Sequence, residues 1–329
     1  MSEIWDIIVI GGGAAGLMTA ASASRENKRV LLLEKNTKLG VKILMSGGSR
    51  CNITHACSSQ QIVEAFGRSG RFLHSPLAAL PPTRVIELIE STGVATKVEP
   101  GGKIFPQSDR AIDVRDALVK LASDPDFDGQ AEILTGQSCV SIEKSGESFQ
   151  VQTDSDTFLG KSVVITTGGK SYPGCGTNGD GYAWASHFGH QIVSPVAALT
   201  PIINRGHWTN SLKGLTFEDV SVKVRPHSTN KKKSLDTRSG GFLFTHFGFS
   251  GPSVLDVSRV VSNHPHPHSL ILECDFCGSE NHDQLRQRIT TTVRENSKQN
   301  LNNVISTMFP KRFSEAMLQH LGIEATTRA

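Results

Sequence analysis

The chain has 329 residues, 37% of them hydrophobic and 20% charged, a composition that supports packed cores and excludes disorder. Its length passes the ~250–300 residues at which single cores stop growing, so about two domains are expected. With 34 basic and 31 acidic residues the formal charge is +3, too weak a field to point to a nucleic-acid or membrane partner.

The run from Ile4 to Ile10 is rich in Ile and Val and is broken only by Asp6, which suits a buried parallel strand. A turn of glycine and alanine fills 11–16, and a small-residue helix runs on to about Asn27. A second apolar strand over 29–33 ends on Glu34. After a loop at 36–55, helical patterns are expected near 59–67 and 82–92, the latter introduced by Pro81 and Pro82. A hairpin is expected around Pro100, Gly101 and Gly102, then a helix near 109–123. Segments at 131–143, 149–153 and 157–159 predict a three-stranded meander, and 162–167 a last buried strand. Beyond about Pro195 the texture changes: strands at 217–225, 241–246 and 269–274, and helices near 252–262, 281–296, 301–309 and 312–321. These patterns predict an α/β protein with a doubly wound, Rossmann-like domain over 1–194 and a largely β second domain over 195–329.

Gly11, Gly13 and Gly16 form a G-x-G-x-x-G turn between strand and helix, with Glu34 following 34 − 11 = 23 positions after Gly11. That context reads as a dinucleotide fingerprint. Gly11 permits the tight turn, Gly13 leaves room for a pyrophosphate, and Gly16 brings the helix close to the sheet. The helix start, with Ala14 and Ala15, offers unpaired N–H groups to phosphate. Glu34 would accept hydrogen bonds from ribose hydroxyls. A ligand-free turn and an S-adenosylmethionine site are the rival readings of this motif alone.

Five stretches carry a resemblance: 38–54 (KLGVKILMSGGSRCNIT), 102–106 (GKIFP), 165–173 (ITTGGKSYP), 176–182 (GTNGDGY) and 243–252 (LFTHFGFSGP). In this order they resemble a bacterial family of NAD(P)/FAD-dependent, aminoacetone-oxidase-like flavoproteins of the glutathione-reductase-like superfamily. The resemblance implies FAD as cofactor and oxidoreduction of a small organic substrate, with NADH or NADPH as reductant by family name only. It implies cofactor contacts at Lys35, Gly40, Lys42, Ser46, Gly47, Gly48, Arg50, Cys51, Asn52, Thr167 and Gly168, and places Val140 beside the adenine. It also makes the second domain an insertion and puts Arg50 and His246 near the reacting end of the site.

Two departures accompany it. Ser49 stands where the family loop more often has a third glycine, and an ordinary backbone conformation would make that harmless. Nothing after Ser306 resembles the family's segment that returns to the FAD domain and covers the flavin. On that reading the chain would retain FAD poorly and tend to aggregate, with a non-catalytic remnant or a nucleotide-sensing regulator as alternatives to an enzyme.

The six cysteines are too sparse for a disulfide-stapled fold. With no basic segment leading a hydrophobic stretch at the N-terminus and no run of ~18 apolar residues, a cytoplasmic location without a membrane span is expected. Cys274-x-x-Cys277 lacks the second pair of a metal site and reads as incidental, and no metal is expected. The His264-Pro-His-Pro-His268 run reads as a solvated turn, and Lys231, Lys232 and Lys233 as a hairpin tip.

Overall fold

The computed structural model describes residues 4–128, 130–204, 206, 208–227, 234–278, 280–324 and 326–329. Lys231, Lys232 and Lys233 lie outside them. The chain divides into two compact units, Met1–Val193 and Ser194–Ala329.

The first unit is built on a six-stranded sheet. Its strands are β1 (Ile4–Ile10), β2 (Val30–Glu34), β6 (Glu132–Thr135), β7 (Cys139–Ser145), β8 (Ser148–Thr153) and β9 (Thr157–Ile165), in the order β6-β2-β1-β9-β8-β7. β6, β2, β1 and β9 run parallel, while β9, β8 and β7 form an antiparallel meander. Alternation sorts the strand residues between two layers. Val9, Val30 and Leu32 pack with α1 (Ala14–Arg25) and α6 (Ala111–Ser123), whereas Ile8, Ile10, Leu31 and Leu33 face Ile142 and Val151 of the meander. Both faces of β2 are therefore covered, which is why it reads as one apolar run.

The meander differs from its sequence pattern. The 131–143 segment divides at Gly136, whose φ of 71° turns the chain: β6 joins the parallel edge and only β7 enters the meander. β9 is one strand from 157 to 165, because Gly160 sits against Ile8 and leaves the ladder unbroken. Between β2 and α6 the chain forms α2 (Val41–Ser49), β3 (Thr54–His55), α3 (Ser59–Ala65), a 3-10 segment (Gly67–Leu73), α4 (His74–Ala79), α5 (Pro82–Ser91), β4 (Thr96–Val98) and β5 (Lys103–Pro106). Order β3-β5-β4 makes a small antiparallel sheet. A last helix, α7 (Asp180–His187), follows β9.

The second unit has a five-stranded sheet of order β10-β13-β12-β11-β14, from β10 (Ile202–Ile203), β11 (Thr216–Pro226), β12 (Asp236–Phe244), β13 (Gly248–Ser250) and β14 (Leu270–Asp275). All its pairings are antiparallel. α8 (Pro252–Asn263), α9 (His282–Glu295), α10 (Leu301–Ile305) and α11 (Lys311–His320) complete it. Its core joins Val220, Val222 and Val224 to Phe242, Phe244 and Phe313, with Phe217 and Phe276 packed edge-on against these rings.

Candidate functional site

Where β1 ends, Gly11 takes a φ of 107°, and a Cβ there would lie 2.8 Å from the Thr166 carbonyl oxygen. Thr166 Oγ1 donates to the Ile10 and Gly11 carbonyls at 2.9 Å each, tying the turn to the end of β9. At Gly16 a Cβ would meet the Gly11 carbonyl oxygen at 1.9 Å, so only glycine lets α1 lie against the turn. Gly13 differs: an added Cβ meets nothing within 4 Å. Its face opens onto the space in front of α1, whose first amides, at Ala14 and Ala15, have no intrahelical acceptor.

Glu34 is only 7% exposed. Its carboxylate accepts from the Gly12 N–H at 2.6 Å, the Asn36 N–H at 2.8 Å and Asn36 Nδ2 at 2.7 Å. It therefore clasps the glycine turn as well as facing the cavity, and Oε2 keeps a lone pair for a further donor.

In α2 the helical backbone stops at Ser46. Gly47, Gly48 and Ser49 follow with φ of 55°, 68° and 67°. Ser49 thus stands in the left-handed region that a glycine would occupy freely, contrary to the expectation of an ordinary conformation. Lys42 Nζ donates to the Ser171 carbonyl and to Thr177 Oγ1 at 2.9 Å each. Lys35 pairs with Asp180 at 2.8 Å, and Asn36 Nδ2 reaches the Cys175 carbonyl. These contacts strap the loop after β9 to the 35–42 segment.

These groups enclose a cavity of about 450 Å3 within the first unit. Gly11, Gly13, Ala14, Ala15, Glu34, Lys35, Gly40, Lys42, Ser46, Cys51, Asn52, Thr167 and Gly168 line it. An apolar wall of Met18, Leu80, Val85, Leu88 and Val114 stands with them. The donor set suits a dinucleotide: open space before Gly13, free helix-start amides, the Lys42 ammonium for a pyrophosphate, and a carboxylate for hydroxyls.

Six expected residues are placed elsewhere. Gly16 is under α1. Gly47 and Gly48 shape the loop without lining the cavity. Val140 is 60% exposed and points away, because alternation along β7 turns its neighbour Cys139 inward instead. Arg50 is held outside the lining set: its guanidinium bonds Glu99 at 2.6 Å and Asp109 at 3.3 Å and lies 4.2 Å from the Phe105 ring centroid. With its charge already matched, Arg50 fastens the loop rather than presenting a cation to phosphate. His246 lies in the second unit, exposed between β12 and β13 with its ring against Phe247. Sequence reasoning missed Asn36, Gln137, Cys139, Thr166, Thr177 and Trp184 as lining residues. Only Thr166 and Thr177 lay inside stretches already singled out.

Burial pushes the Cys51 thiol up, and burial followed by the Asp180 charge pushes Cys139 up to about 12. Both stay protonated at neutral pH, so neither supplies a thiolate to the cavity. In the second unit, burial followed by Glu273 pushes Cys274 to about 12, and burial followed by Asp275 raises Cys277, leaving that pair two inert free thiols. Among the described residues no group of three or more His, Cys, Asp or Glu side chains could hold a metal ion. No helix among them is long and apolar enough to cross a membrane.

Comparison with known proteins matches residues 5–315 to the family described as HI0933-like protein Rossmann domain. The chain is 26% identical over 315 residues to a 3-dehydro-bile acid delta(4,6)-reductase of Clostridium scindens, covering 94% of this chain and 74% of that protein. It is 33% identical over 257 residues to a ribosomal RNA dihydrouridine synthase of Escherichia coli, covering 78% and 61%. A ribosomal RNA dihydrouridine synthase of Haemophilus influenzae is 28% identical over 327 residues, covering 97% and 75%. Two of these three relatives are named for an RNA, so the sequence expectation of no nucleic-acid partner loses its support.

Proposed function

This chain belongs to the HI0933-like Rossmann-domain family, within the FAD-dependent oxidoreductases, and from that premise we propose that it reduces a carbon–carbon double bond conjugated to a carbonyl. Its cofactor is FAD. The names of its relatives share one chemistry: a conjugated alkene, in a 3-oxo acid or in a uracil ring, gains two hydrogens. Bound and reduced, the flavin would supply hydride to such an alkene, with a proton from water completing the addition.

One observation carries the reading. Gly11, Gly13, Glu34, the residues Gly40, Lys42, Ser46, Cys51 and Asn52, and Thr167–Gly168 all line the same cavity of about 450 Å3. The α1 amides and Gly13 receive the pyrophosphate, and Glu34 Oε2 takes a ribose hydroxyl with its remaining lone pair. Lys42 ties the loop after β9 to the 35–42 segment beside the cavity and would help keep water from a bound cofactor. Arg50 positions the 46–52 loop through Glu99 and Asp109.

The test is anaerobic. Protein loaded with FAD is reduced, then mixed with a 3-oxo-4-ene steroid acid, with a uridine-containing oligonucleotide, or with the saturated form of either. Flavin absorbance should return with an unsaturated compound and stay bleached with its saturated form. Equal recovery with both members of each pair would overturn the assignment. NADH and NADPH are compared as reductants in the first half-reaction.

A further inference from the structure

The 3-10 segment Gly67–Leu73 presents a surface that neither the cavity nor the core explains. Its three-residue period eclipses side chains at i and i+3. Gly70 forms the inward row: it is buried, and a Cβ there would lie 1.9 Å from the Val63 carbonyl oxygen. Arg68 and Arg71 form a second row and Ser69 and Phe72 a third, all exposed. Phe72 is 83% exposed, and Phe66, just before the segment, 54%. His74 opens α4 and is also exposed.

The charge here is one-sided and unspent. Between Glu64 and Glu87 the chain carries Arg68, Arg71 and Arg84 and no acidic residue. Arg84 pairs with Glu87. Among the described residues, Arg68 and Arg71 have no hydrogen-bond or ion-pair partner, and Phe66 and Phe72 no ring partner. Arg68 and Arg71 leave the backbone about 6 Å apart along the 3-10 axis, a spacing from which two long side chains reach successive phosphates of an extended strand. The neighbouring phenyl ring offers a face on which a base stacks. An apolar protein partner would leave both arginines desolvated and unpaired, so the charge favours a polyanion. The position also fits, since α4 spans only six residues before Leu80, which lines the cavity.

We propose that Phe66, Arg68, Arg71 and Phe72 form a docking surface for single-stranded RNA beside the cofactor cavity. This rests on the reading of that cavity as a site of conjugated-alkene reduction, and makes a uracil ring in RNA the substrate class. Arg68 and Arg71 hold phosphates, Phe72 stacks on a base, and the strand continues along α4 toward the cavity.

The test measures fluorescence anisotropy of a labelled single-stranded oligouridylate on the full chain and on Phe72→Ala and Arg68→Glu/Arg71→Glu variants. Both variants should bind at least tenfold more weakly, with FAD content unchanged. The arginine variant should also lose about 1.4 from the slope of log affinity against log salt, at ~0.7 per phosphate. Reduction of a free 3-oxo-4-ene compound should be unaltered in both. A wild-type chain that binds no oligouridylate, or variants that bind it as wild type does, overturns the docking surface while leaving the alkene assay untouched. Loss in the arginine variant with none in Phe72→Ala also overturns it, marking a general anion surface. Weaker self-association without weaker RNA binding overturns it in favour of a second copy of the chain. If the alkene assay alone fails, the reductase reading falls and RNA docking is judged separately.

Discussion

Gly13 and Gly16 stand three residues apart in one motif and answer to different constraints. Gly16→Ala drives a methyl to 1.9 Å from the Gly11 carbonyl; overpacking of this kind costs ~1–3 kcal/mol. The ligand-free protein should melt lower by about 2–4 °C per kcal/mol for a unit of this size. Gly13→Ala adds its methyl to open space on an ordinary backbone, φ −80° and ψ −171°. Its melting temperature should hold while ADP affinity falls, read by calorimetry. If both variants behave alike, the division of roles between the two glycines is wrong. Ser49 gives the opposite sign. At φ 67° its side chain is strained by ~1–2 kcal/mol, and part of the relief in Ser49→Gly is offset by chain entropy of ~0.5–1 kcal/mol. That variant should melt slightly higher, and a lower melting point would refute the strain. Glu34→Ala strands the Gly12 and Asn36 amides in a nearly closed site. That costs ~1–3 kcal/mol for buried groups left unpaired, so melting temperature and ADP affinity should fall together.

At the scale of elements, the 46–52 loop depends on the hairpin of β4 and β5. Arg50 bonds Glu99 and Asp109, and Lys97 bonds Asp109 at 2.5 Å. The Lys97 ammonium first, and Arg50 after it, hold the Asp109 carboxyl below the usual carboxylate range. A depressed carboxylate contributes stability that is present above its unfolded value, ~3.9, and is lost as pH falls through the folded one. Acid should therefore loosen the loop below about pH 4. The fall in melting temperature on acidification should be smaller in Asp109→Asn than in wild type; equal slopes would mean that the cluster contributes nothing. The hairpin itself was readable from Pro100, Gly101 and Gly102, since turn chemistry is local. The cluster was not, because four charges at 50, 97, 99 and 109 give no periodic signal. Strands buried on both faces, such as β2, were readable as apolar runs. The partner of β6 was not, because the same alternation serves a meander or a parallel edge, and only Gly136 decides between them. The 3-10 segment and α4 escaped for a related reason: small and proline residues over 67–79 carry no 3.6-residue stripe.

At the scale of the whole chain, ligand holding and the rest of the protein separate cleanly along the sequence. Every cavity-lining residue falls between Ile10 and Trp184, inside the unit that ends at Val193. The two cores flanking the six-stranded sheet draw only on residues 5–184, and the aromatic core of the second unit only on 202–317. The fingerprint was readable because strand, glycine turn, helix and acidic strand end lie within thirty-four residues. The lining by Gln137, Thr166 and Trp184 was not, since those residues reach the cavity through sheet order rather than chain order. If each unit closes its own core, residues 1–193 expressed alone should fold and bind ADP and FAD within about tenfold of the full chain, a difference under ~1.4 kcal/mol. Circular dichroism establishes folding, and calorimetry with each ligand gives the affinity. Glu34→Ala in the fragment should repeat the loss seen in the full chain. A folded fragment that binds neither ligand would mean that the cavity needs residues beyond 193. Binding of ADP without FAD would confine the fragment's site to the adenosine half and assign the flavin end to the remainder of the protein.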